Sequence, residues 1–242
     1  MEERRSPIPL RRQLSLLVPL FVGWTAAVML IFIIAALNPD ARDNVLLHPA
    51  LNGFPWYTGL LSNLAVVGWV VASTAGFLGG FVAWVGNRKA AARMQIMGAV
   101  VTLVAAFDQL FQFHRIILGT DSFGGRALVL VTYIVLGSLW FILNQQELAR
   151  TRVIILGAAM SSLLMSATVD LLGNEIVTSR ALFVDGTTFL SALAWAIWFA
   201  TTTTDISRSV VRSGVLPDPV AVDTPAEDAL DPSEDATLET TG

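Results

Sequence analysis

From residue 14 to residue 204, long apolar runs with almost no charge alternate with short polar connections. The runs lie at roughly 14–38, 57–85, 94–118, 127–144, 153–172 and 187–204. Each is long enough to cross a hydrocarbon core of about 30 Å. None shows the period-two alternation of a half-buried strand. The pattern predicts an all-α integral membrane bundle of six transmembrane helices. It divides the chain into a basic arm (1–13), a six-helix transmembrane domain (14–204) and an acidic tail (205–242). The first run follows Arg4, Arg5, Arg11 and Arg12, as a signal peptide would. At about 24 residues it is too long for a signal h-region, and no A-x-A-like site closes it, so it reads as an uncleaved first helix.

Composition supports lipid as the solvent. Charged residues make up 14% and hydrophobic ones 54%, with a mean hydropathy of +0.65, whereas soluble domains carry about 25% charged residues. The net charge of −4 conceals a division. Residues 213–242 hold eight acids and no base, and residues 1–212 hold fifteen bases against eleven acids. Neither part is basic enough for nucleic acid. The tail, rich in Pro, Asp, Glu and Thr and free of aromatic residues, is expected to be disordered.

The bases also set an orientation. The arm has four arginines, the second connection Arg88, Lys89 and Arg93, the fourth Arg150 and Arg152, and the start of the tail Arg208 and Arg212. The opposite side has Arg42, Arg126 and Arg180, with Arg115 at the end of the third helix. Both termini are therefore expected in the cytoplasm, in a multi-pass protein of the cytoplasmic (inner) membrane. By the same placement Trp56 and Tyr57 suit the outer interface, and Trp84 and Trp140 the inner one.

Lipid gives helices no hydrophobic reason to associate, so close packing of small residues must supply the contact. The second helix has Gly68, Ala72, Gly76 and Gly80 at four-residue spacing, a packing stripe on one face. The fifth has Ala158, Ser162, Ser166, Asp170 and Asn174 at the same spacing.

Candidate chemistry is sparse. Without cysteine there is no disulfide, thiolate metal site or cysteine nucleophile. Two histidines, His48 and His114, cannot build a three-histidine zinc site in one chain. The informative segment is Asp108-Gln109-Leu110-Phe111-Gln112-Phe113-His114-Arg115 in the third helix. Asp108 falls ~18 Å into the membrane and His114 ~27 Å, near the outer boundary. Arg115 can snorkel to the headgroups; Asp108 cannot, at a cost of about 2.5–3.5 kcal/mol unless partners or protonation relieve it. Depth proposes Asn63, Tyr133 and Ser166 as those partners, with Gln112 and Asp170 slightly further out. Converging, they would form a polar slot open to the outer side. Helical spacing puts Asp108 and Gln112 on one face and turns His114 about 120° away, so acid and histidine do not meet on one straight helix. Each residue also has a structural reading: Asp108 as an interhelical tie, His114 as an interfacial histidine bonded to a carbonyl.

This segment, with Ser-Ala-Thr-Val-Asp-Leu-Leu at 166–172, resembles a family of uncharacterised bacterial polytopic membrane proteins. Its members carry Asp-Asp-x-Phe-x-Leu-His-Glu in a middle helix and a later Val-Asp-Leu-Leu. The resemblance runs from about residue 100 to 204; Asp108, Phe111, His114 and Asp170 match. Gln109 and Arg115 replace two of the acids, one by a cation, which argues against a hard-metal site. The resemblance implies no activity.

The function expected is a non-catalytic accessory or assembly subunit of a larger membrane complex, with protein partners in the membrane and the bilayer around it. The alternative is a membrane-embedded enzyme or proton-coupled transporter using the slot around Asp108. No Ser–His–Asp order, HExxH or phosphate loop accompanies that acid, and no broken helix pair marks a transporter. His114, against phenylalanines, is the one possible ligand for a haem or pigment; no cofactor follows from it.

Overall fold

The computed structural model describes residues 13–15, 17–37, 59–111, 123–172 and 180–213. They form six α-helices: α1 (Leu17–Leu37), α2 (Leu60–Val85), α3 (Lys89–Phe111), α4 (Phe123–Leu148), α5 (Val153–Leu172) and α6 (Arg180–Arg212). No strand occurs among the described residues. Four helical stretches, Leu60–Val85, Lys89–Phe111, Val153–Asp170 and Phe183–Arg212, are long and apolar enough to cross a membrane. In α1 the apolar stretch spans Leu17–Leu30.

Large apolar side chains cover much of the outside of the bundle as well as forming its core, and hydroxyl and amide side chains are buried among them. Val67, Val71, Leu78 and Phe81 of α2, and Val131, Val135 and Ile142 of α4, are exposed, while Ser62, Ser73, Gln95, Thr102, Asn144, Ser191 and Thr202 are buried. Large apolar side chains face outward because lipid accommodates them, and small or hydroxylated ones face inward because they let helices approach.

The central helix is α2. It packs along α6 and α3; α5 packs on α6; α1 lies against α6, and α4 against α3 and, less extensively, α5. The stripe at Gly68, Ala72, Gly76 and Gly80 makes the close approach. A Cβ at Gly68 would meet the Ala192 Cβ at 3.0 Å, and one at Gly76 would meet the Phe199 ring at 2.8 Å and the Ala99 Cβ at 2.9 Å. At such distances one side chain reaches a backbone carbonyl across each main seam. Ser73 donates to Ala99 O (3.0 Å), Thr203 to Ala75 O (2.8 Å), Ser191 to Ala159 O (2.8 Å), Trp140 Nε1 to Met94 O (3.0 Å) and Trp24 Nε1 to Gly186 O (3.1 Å). Each such bond contributes on the order of 0.6 kcal/mol in a membrane.

Two features depart from the sequence reading. Trp140, expected at the inner interface, is 3% exposed. It sits in a cluster with Trp69, Trp195, Trp198 and Phe199, the Trp140–Trp195 ring centroids 5.5 Å apart. Trp84 is exposed. The sixth helix also exceeds the expected 187–204 at both ends. Its 33 residues span about 50 Å, so residues 205–212, assigned by composition to the tail, are helical. Ile206 and Val210 explain the extension: they are buried with Ala83, Ala91 and Ala92 against the α2–α3 turn. Arg88 of that turn donates to the Ser209 hydroxyl and carbonyl, and Arg152 pairs with Asp205. Asn87, at φ 55°, occupies the left-handed region of the same turn, a conformation that asparagine tolerates better than most residues.

Candidate functional site

Asp108 lies one turn from the end of α3, half-buried, on a helix whose inward positions are small: Gly98, Ala99, Thr102 and Ala106 are buried. Gly98 lets α4 approach, a Cβ there meeting the Trp140 ring at 3.1 Å, while Ala99 packs against Gly76 of α2. The Tyr133 hydroxyl donates to Asp108 Oδ2 at 2.8 Å. The next residue faces the other neighbour: Gln109 Nε2 donates to Ser62 Oγ of α2 at 3.2 Å. Adjacent positions on one helix, about 100° apart, thus tie α3 to α4 on one side and to α2 on the other. A hydrogen bond to a charged group contributes about 1.5–3 kcal/mol, comparable with the cost of placing the acid at that depth.

Beside this pair, lined by residues of α2, α3, α4, α5 and α6, is a cavity of about 50 Å³. Trp69, Thr102, Tyr133, Gly137, Trp140 and Trp195 are among its lining residues. Tyr133, Gly137 and Trp140 fall on one face of α4 by their four- and three-residue spacing. The lining is largely apolar, and the Thr102 hydroxyl donates to Gly98 O of its own helix at 2.8 Å.

Of the residues proposed for the slot, Asp108 and Tyr133 are in direct contact. Ser166 has its partners elsewhere: it donates to Val184 O at 3.0 Å and shares a 2.7 Å hydrogen bond with Thr188, both on α6. It therefore belongs to the α5–α6 seam. Asp170 lies one turn further along α5, and Asn63 follows Ser62 on α2, both half-buried. Gln112 and His114 lie outside the described residues. Sequence reasoning missed Ser62, Gln109 and Thr188. Gln109 stood next to the acid, but which way it turns depends on where α2 lies. Among the described residues, no group of three or more His, Cys, Asp or Glu side chains could hold a metal ion.

No curated protein and no solved structure matches the chain. A family model does, the domain of unknown function DUF8692, over residues 14–202. The match takes in the bundle and stops short of the last turns of α6 and the acidic tail. The chain belongs to this family.

Proposed function

From that membership and this geometry, we propose that the chain is a six-span integral subunit of the cytoplasmic membrane, with both termini inside, acting non-catalytically through protein partners. One observation carries the reading: three polar side chains in or beside the candidate slot, Asp108, Gln109 and Ser166, serve as interhelical ties. Tyr133 holds Asp108, Ser62 holds Gln109, and Thr188 with Val184 O holds Ser166. A general acid or base must reach a substrate proton, and these groups reach neighbouring helices instead. Many exposed side chains along the helices are apolar, among them Val67, Val71, Val131 and Val135, and are available to lipid or to other spanning helices.

The test is gentle solubilisation of native membranes and purification through the C-terminal tail. Stoichiometric partner chains are expected; recovery only as a free monomer or homo-oligomer would overturn the subunit reading. Orientation is tested separately, since the chain has no cysteine. A single cysteine at exposed Arg208 should react with a membrane-impermeant thiol reagent only after the membrane is opened.

The cavity beside Asp108 favours a second reading, an enzyme or proton-coupled transporter in which Asp108 exchanges a proton. Asp108→Asn would then abolish a measurable flux or turnover. If it leaves proteoliposome proton flux and membrane lipid composition unchanged, that reading is dropped.

A further inference from the structure

At the opposite end of the bundle from Asp108, a polar cleft of about 250 Å³ opens between the start of α3 and the end of α4. Ala90, Arg93, Asn144, Gln145, Gln146 and Glu147 line it, with Ile142 and Leu143 on its membrane side. Arg93 is held in place: its Nε donates to Asn144 Oδ1 at 3.3 Å and its Nη2 to Leu143 O at 3.0 Å. Asn144 is itself buried and anchored by Nδ2 to Trp140 O at 2.8 Å. Neither Arg93 acceptor is an acid, so the guanidinium charge is not neutralised there. Glu147, the carboxylate in the lining, is paired with Arg150 at 2.7 Å.

The charge of this end extends beyond the cleft. Residues 86–93, 144–153 and 205–213 carry seven bases, Arg88, Lys89, Arg93, Arg150, Arg152, Arg208 and Arg212, against two acids, Glu147 and Asp205. Each acid is already in an ion pair. Away from the cleft the surface turns apolar along both walls. Ile96, Val100 and Val104 follow Arg93 on one face of α3, and Leu139 and Val135 follow Leu143 on α4, all exposed. A fixed cation in a polar cleft, continued by two apolar tracks, has the polarity profile of a phospholipid lying along a helix pair. Basic clefts between spanning helices near the cytoplasmic surface attract anionic headgroups.

We propose that the cleft between α3 and α4 binds the phosphodiester headgroup of an anionic membrane phospholipid, with Arg93 contacting the phosphate. Its acyl chains run along the Ile96–Val104 and Leu143–Val135 tracks. The proposal rests on the membrane-spanning reading of the bundle and is independent of protein partners, so the two are tested apart.

The experiment is native mass spectrometry of the full-length chain released from detergent micelles containing equimolar phosphatidylglycerol and phosphatidylcholine. The parent chain should retain one phosphatidylglycerol in preference to phosphatidylcholine. Arg93→Gln should lower that preference about fivefold, the equivalent of ~1 kcal/mol for one basic residue at the headgroup level. Arg93→Lys should keep part of it. Ala90→Trp, which obstructs the cleft without changing charge, should lower it as well; its unfolding midpoint, matched to the parent, shows that the bundle is intact. Arg212→Gln, at the same end but outside the cleft, should leave the preference unchanged. Equal retention of the two lipids by the parent, or an equal loss in Arg212→Gln, would overturn the proposal. So would displacement of the lipid by millimolar inorganic phosphate, which would assign the cleft to a free anion.

Discussion

The hydroxyl of Tyr133 on α4 donates a 2.8 Å hydrogen bond to Oδ2 of Asp108 on α3. It is a direct polar link between the peripheral fourth helix and the rest of the bundle, one turn from the end of α3. Tyr133→Phe is therefore expected to destabilise the folded bundle by about 0.5–1.5 kcal/mol, the net contribution of one interhelical hydrogen bond. Asp108→Asn, which keeps an acceptor there, should cost less. Reversible unfolding of the two variants in mixed micelles measures the order; a larger loss for Asp108→Asn would contradict it.

The glycines separate into two classes. Gly76 faces the Phe199 ring and Ala99 at under 3 Å from a built Cβ, whereas nothing lies within 4 Å of one at Gly157. Gly76→Val should cost about 1–3 kcal/mol through overpacking. Gly157→Ala should be neutral or stabilising by up to about 1 kcal/mol, since alanine is the better helix former. Unfolding midpoints of the pair, taken under one set of conditions, decide.

Two tryptophans that look alike in the sequence should behave differently. Trp140→Phe removes the bond to Met94 O and part of a five-ring cluster, with an expected loss of about 1–3 kcal/mol. Trp84→Phe, at an exposed position, should stay within about 0.5 kcal/mol. Tryptophan emission gives a second readout: of these two, Trp84 should contribute the emission that a lipid-phase quencher reaches, so Trp84→Phe should reduce the quenchable fraction and Trp140→Phe should not.

Ending the chain after Ser213 should leave bundle stability within about 0.5 kcal/mol of the full length. Ending it after Thr204 removes Asp205, Ile206, Ser209 and Val210 together with their contacts to Arg152, Ala83, Ala91, Ala92 and Arg88. Burial of two aliphatic side chains alone contributes about 3–6 kcal/mol, so the shorter chain should unfold at a clearly lower midpoint. Limited proteolysis of the two truncations would show the same difference at the α2–α3 turn.

Within the candidate site, legibility followed locality. Asp108 stood out because it is a carboxylate in the middle of an apolar run, and Tyr133 because hydrophobic length alone places it at a similar depth. Ser166 passed the same depth test and belongs to another seam, since depth gives position along a helix axis and says nothing of which helices are neighbours. Trp140 was misplaced for a related reason: its register suits an interface, and only the approach of α3 and α6 covers it.

What the sequence by itself determined is the set of helices and the small-residue face that lets them meet. Length, apolarity and residue spacing are properties of one segment at a time, and in lipid every backbone polar group must be satisfied within the helix. The tertiary structure alone decided that α2 is central, that α6 runs on past Thr204 to pack against the α2–α3 turn, and that Gln109 turns to α2 while Asp108 turns to α4. Those outcomes depend on contacts between segments far apart in the chain. Their energies come from shape-matched packing and single hydrogen bonds of about 0.6 kcal/mol, which no pattern along one helix encodes.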